Sequence, residues 1–107
     1  MNILFLGDIM GRSGRDALEE YLPGLREQLK LDFVIVNAEN ATAGVGLSID
    51  HAQHILSLGV DCITLGDHAF DQREMVSYIQ QEPRVIRPIN FAKTAPGNGF
   101  GVFKTHS

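Results

Sequence analysis

Apolar residues gather in three short runs along the chain, at 3–6, 33–36 and 62–65. Each run is continuous instead of alternating, which predicts strands covered on both faces, as in a parallel sheet. Between the runs the apolar spacing changes to steps of three and four. Ala17, Leu18, Tyr21, Leu22, Leu25 and Leu29 predict a helix over 16–30, kinked or divided at Pro23. Ala52, Ile55, Leu56 and Leu58 predict a second helix over 48–58, with Ser48 as its N-cap and Gly59 as its stop. A third helix is predicted over 71–81. Asp71 is its expected N-cap, Glu74 comes three residues later as in a capping box, and Pro83 lies beyond its end.

The order is therefore β-α-β-α-β-α. Such alternation predicts an α/β fold, a parallel sheet with flanking helices joined by right-handed crossovers. The tail reads differently: a short strand over 84–89, a Pro/Gly turn region over 94–99, and the start of another strand over 101–104. With 107 residues the chain makes one domain with one core.

Charge narrows the function classes. Nine Lys and Arg against thirteen Asp and Glu leave a formal net charge of −4. That balance gives no broad electrostatic reason to bind nucleic acid, and leaves RNA open; carboxylates that converge would instead attract cations. The one cysteine, Cys62, makes no intrachain disulfide, so a reducing cytoplasm is expected. The first apolar run is too short for a signal-peptide core and meets Asp8 at once. No run approaches the ~20 apolar residues of a membrane span.

The residues just past each strand carry the chemistry. Gly7-Asp8 succeeds the first run, Asn37-Ala38-Glu39-Asn40 the second, and Gly66-Asp67-His68 the third. In a parallel sheet all strand carboxyl ends share one edge, and ligands bind there. Asp8, Glu39, Asn40, Asp67 and His68 should therefore converge. Three carboxylates packed together repel one another, and a divalent cation removes the repulsion. Oxygen donors suit magnesium and manganese, and mixed oxygen and imidazole sets also suit iron and zinc. Glu39 has two oxygens and can bridge two metals, which together clamp a phosphoryl transfer.

Each residue taken alone also has a plain structural role: Asp8 and Asn40 as turn residues, Asp67 as a cap, His68 as a surface histidine. Polar residues at three successive strand ends make coincidence the weaker account. His51 and His54 read as a solvated helix face, and nothing places His106. The stretch from Gly7 to Arg15 has neither a P-loop ending nor a dinucleotide fingerprint. Arg12 and Arg15 are weak candidates for holding a substrate phosphate. Gly44-Val45-Gly46 reads as a flexible segment beside the site.

Four blocks together resemble the YmdB-like branch of the calcineurin-like metallophosphoesterases. They are Met1-Asn2-Ile3-Leu4-Phe5-Leu6-Gly7-Asp8-Ile9-Met10-Gly11, Asn37-Ala38-Glu39-Asn40-Ala41 with Gly44-Val45-Gly46-Leu47, Ile63-Thr64-Leu65-Gly66-Asp67-His68-Ala69-Phe70-Asp71, and Arg87-Pro88-Ile89-Asn90-Phe91. The resemblance implies that Asp8, Glu39 and Asn40 hold a first metal, that Glu39 bridges, that position 67 holds a second metal, and that His68 is the general acid. It implies a di-iron or di-manganese centre hydrolysing phosphodiesters, including 2′,3′- and 3′,5′-cyclic nucleotides. The fold it implies is a four-layer αββα sandwich, with this chain supplying the first half.

Two departures stand out. Asp67 occupies a position where the family usually has Asn, which adds negative charge and predicts tighter metal binding. Family members are also more than twice as long, and their second half supplies further histidines, including a His-x-His pair. The chain is thus expected to be truncated, with an incomplete second metal site and a tendency to pair with another copy. The rival expectation is a non-catalytic fragment that binds one metal weakly or serves as a self-association module. A flavodoxin-like or Rossmann-like nucleotide binder is a third, and the absent glycine fingerprint counts against it.

Overall fold

A computed structural model describes residues 1–105, so His106 lies outside the described residues. Four parallel strands form one sheet in the order β1 (Ile3–Leu6), β2 (Phe33–Asn37), β3 (Cys62–Thr64), β4 (Val85–Ile86). The crossovers are α1 (Gly11–Gln28), α2 (Ile49–Ser57) and α3 (Met75–Gln81). Each new strand is added on the same side of the last, so right-handed crossovers bring all three helices to one face. Leu4, Leu6, Val34, Val36, Ile63 and Val85 point to that face and meet Leu18, Leu22, Ile55, Met75 and Ile79 in one core.

The opposite face corrects the expectation of strands covered twice. Ile3 and Phe5 on it are 57% and 58% exposed. Phe33 is covered there by Phe103, edge to face with ring centroids 5.4 Å apart. The continuous apolar runs do form strands, and their composition asks for two layers, but the described residues supply helices for only one. Residues 101–104 provide Phe103 as a lid without forming a strand.

Local rules explain most element ends. Ser48 Oγ accepts from the His51 N–H at 3.2 Å, the expected N-cap of α2. Gly59 adopts φ +99° and its N–H reaches Leu56 O, the expected stop. α1 begins five residues earlier than its apolar spacing predicts and runs through Pro23. Its first turn is glycine-rich and carries no periodicity; it is fastened from outside, the Gly11 N–H donating to Asn40 O at 3.0 Å and Arg15 Nη1 to Ala41 O. The bond to Ala41 engages one nitrogen of Arg15, which the sequence offered as a candidate for a substrate phosphate. Arg12 is exposed and faces Asp16 at 3.7 Å.

α3 begins at Met75, later than predicted, and Asp71 is not its cap. Asp71 finds a stronger partner in His68, described below. The Glu74 carboxylate accepts from the Ile49 N–H at 2.9 Å, so it caps the start of α2 across the chain instead of closing a box on its own helix. The fourth strand is two residues long, ending where Arg87 turns inward. No helix of the described residues is long and apolar enough to cross a membrane.

Candidate functional site

Parallel pairing places the carboxyl ends of β1, β2 and β3 on one rim, and the Ile9 N–H donates to Asn37 O at 3.0 Å to tie the first two ends together. Asp8 leaves β1 with φ +47°, a left-handed conformation that costs a non-glycine residue energy and that Asp tolerates better than most. Its Oδ1 accepts from Asn40 Nδ2 at 2.8 Å. After β2 the chain bends at buried Ala38, whose N–H donates to Thr64 O at 3.0 Å. The bend delivers Glu39 towards the end of β3. Its Oε2 accepts from the His68 N–H at 3.3 Å, and its Oε1 from Asn37 Nδ2 at 3.4 Å.

His68 sits in a run of turns over 67–70. Its Nδ1 lies 2.7 Å from Asp71 Oδ2, and its side chain is 44% exposed. The bond to Asp71 and the negative charge of Asp67 raise the His68 pKa above its ordinary 6.5. With Nδ1–H donating to the carboxylate, Nε2 is the atom free to meet a ligand. Asp67 is 87% exposed, its nearest partner being His68 Nε2 at 3.9 Å.

The predicted residues thus meet as two contacting groups on one rim. One is Asp8 with Asn40, and the other is Glu39, His68 and Asp67. Among the described residues, no three His, Cys, Asp or Glu side chains close on a single point tightly enough to hold a metal ion. The donor types nevertheless fit a hard or borderline divalent cation: carboxylate oxygens and an amide oxygen, with an imidazole beside them.

Sequence reasoning missed Asp71 as a site residue. Its place three residues before Glu74 suggests a cap, and only the turn at 67–70 carries it back to His68. The segment around Gly46, expected to be flexible, is instead a packed support. Gly46 is buried at φ +88°, and a Cβ there would stand 3.0 Å from Asp71 Cβ and 3.1 Å from His68 O. Gln72 Nε2 donates to Val45 O at 2.6 Å and holds the two loops together.

His51, read from the sequence as a solvated helix residue, is half-buried behind this support. Thr42 Oγ1 accepts from the Ser48 N–H at 2.8 Å, which leaves its hydrogen for His51 Nδ1 at 2.7 Å. Burial first, then Arg15 and His54, lowers the His51 pKa below 6.5, with Asp50 opposing. A depressed histidine favours the neutral folded form, so the unfolded chain takes up the proton first as pH falls below 6.5 and stability is lost. Thermal melts of wild type and His51→Gln should therefore diverge on acidification to about pH 5, the variant losing less. Parallel slopes would remove His51 from the acid response. Cys62 is buried, and its thiol is pushed up from 9.0 to about 11, which marks it as unreactive packing.

Relatives match this frame along its length. A protein from Bacillus subtilis (strain 168) named 2′,3′-cyclic-nucleotide 2′-phosphodiesterase is 40% identical over 106 residues, covering 99% of this chain and 40% of that protein. A hypothetical protein from Thermus thermophilus has a crystal structure that superposes with a TM-score of 0.92 at 37% identity, over 99% of this chain and 41% of the other. The crystal structure of a novel phosphatase from Mycoplasma pneumoniae superposes with a TM-score of 0.86 at 38% identity, over 94% and 37%. The chain spans about 40% of the length of these relatives. The YmdB-like family profile matches residues 4–107, and with the shared fold this means that the chain belongs to the YmdB-like family.

Proposed function

We propose that this segment carries the metal-binding rim of a phosphodiesterase, with cyclic nucleotides as the substrate class. The observation that carries the reading is the meeting of Glu39 with His68 and Asp71 at the strand ends, beside the Asp8–Asn40 pair. The name of the Bacillus subtilis relative supports the choice of a 2′,3′-cyclic phosphodiester. Asp8, Glu39 and Asn40 would hold a first divalent ion, with Glu39 also serving a second beside Asp67. The family resemblance points to iron or manganese, the oxygen donors by themselves suit manganese or magnesium, and zinc is a further alternative. When bound, two such ions supply charge neutralisation at the phosphate oxygens and acidify a water for attack.

The chain's own residues supply the rest. His68 presents Nε2 outward, and Asp71 holds Nδ1 so that the ring faces one way and keeps its proton. A proton on Nε2 can pass to the oxygen that leaves phosphorus, which turns a poor alkoxide leaving group into an alcohol. The Asp8 carboxylate is oriented by Asn40 Nδ2 before any ligand arrives.

Titrating MnCl₂ into the purified chain and into Glu39→Ala tests the reading. Saturable binding by wild type, lost in the variant, together with Mn²⁺-dependent hydrolysis of bis(p-nitrophenyl) phosphate, is expected. No binding by wild type would sink it. Binding without turnover would favour the second reading, a non-catalytic segment. That reading is favoured by the lack of a tight three-donor cluster among the described residues and by the bare face at Ile3 and Phe5.

A further inference from the structure

Gly66 joins the end of β3 to Asp67. Its backbone lies so close to Glu39 that an added Cβ would overlap both carboxylate oxygens and Cδ of that side chain. Gly66 is not among the residues with positive φ, so its own backbone conformation does not ask for glycine. Only the neighbour asks for it. The two donors to Glu39 are both long, at 3.3 Å and 3.4 Å, and hold it loosely. Shape therefore does much of the aiming.

We propose that Gly66 is a positioning residue, its missing side chain forming the slot that seats the Glu39 carboxylate on the rim. This role deepens the metal-site reading above and rests on it for its effect on ions. The atoms that a new Cβ would strike are the far end of a rotatable side chain, and Glu39 is only half-buried. The carboxylate therefore swings aside while the backbone stays. Gly66→Ala should remove the seat of Glu39 without removing the fold.

The test uses the whole chain. In calorimetric titrations with MnCl₂, Gly66→Ala should bind about 10- to 100-fold more weakly than wild type, the range seen when a ligand's support is lost. Its thermal midpoint should move by less than roughly 5 °C. In the metal-free protein, the His68 amide resonance should shift in Gly66→Ala as it does in Glu39→Ala, because both remove the same acceptor, while Val34 and Ile63 amides stay in place. Unchanged Mn²⁺ affinity with an unmoved His68 amide would overturn the proposal. Unfolding of Gly66→Ala would overturn it too, since the carboxylate would then not be the part that yields. If wild type takes up no Mn²⁺, the metal reading fails, and the His68 amide alone decides whether the slot exists.

Discussion

His68→Ala should lower hydrolysis of a 2′,3′-cyclic nucleotide, whose leaving group is an alkoxide, by about 10²- to 10⁴-fold, the usual contribution of a positioned general acid. Mn²⁺ binding should persist, because the imidazole is assigned to the leaving oxygen and not to the metal. The reason lies in the ring's two nitrogens. Nδ1 is occupied by Asp71 at 2.7 Å, which leaves Nε2 as the proton carrier. Asp71→Asn keeps the shape of that contact but withdraws its charge, so it should slow the reaction less than His68→Ala does. The pH–rate profile separates this role from simple packing. Weakening the carboxylate hydrogen bond that raises the His68 pKa, together with losing the Asp71 charge, should move the profile's basic limb to lower pH. Turnover unchanged in His68→Ala would end the assignment, and an Asp71→Asn profile lying on that of wild type would end the part given to Asp71.

The largest stability effect is expected at Arg87. It is the one charged or polar residue buried among the described residues, at 8% exposure. Its Nε donates to Pro96 O at 3.1 Å and its Nη1 to Pro88 O at 2.9 Å, while its backbone N–H donates to Asn98 O at 2.9 Å. These acceptors are carbonyls at the two ends of the 88–98 loop, so a single guanidinium closes that loop onto the end of β4. Arg87→Ala leaves two inward-facing carbonyls without their donor and opens a void, which should cost about 2–4 kcal/mol. Arg87→Lys should recover little, because an ammonium on a flexible stem cannot reproduce a planar fork. Urea denaturation of the three proteins measures this. A loss below about 1 kcal/mol in Arg87→Ala would mean that water replaces the guanidinium at no net cost.

Much of this was legible in the residues themselves. The three apolar runs are β1, β2 and β3 to within a residue at their ends, because short continuous apolar runs bounded by turn residues mark strands, even where, as here, helices cover one face. Ser48 and Gly59 bracket α2 because capping and left-handed stops depend on residues only a few positions apart. The start of α1 was not legible. Its glycine-rich first turn carries no apolar period and is held by Asn40 and Ala41, nearly thirty positions away. Asp71 misleads for the opposite reason: it satisfies a local capping pattern, but a bond to His68 outcompetes the backbone amides it would otherwise have capped.

What the sequence by itself determined, then, is the alternation of strands and helices and the set of polar residues at the strand ends, both of which come from short-range periodicity and from the common direction of parallel strands. Tertiary structure alone decided which of those residues touch: Asp8 with Asn40, Glu39 with His68, His68 with Asp71. It also decided that Gly66 leaves room for a carboxylate from the turn after β2 and that, among the described residues, helices cover only one sheet face. Contacts of this kind depend on loop paths and side-chain shape across gaps of up to about thirty residues in the chain, and no local pattern encodes them.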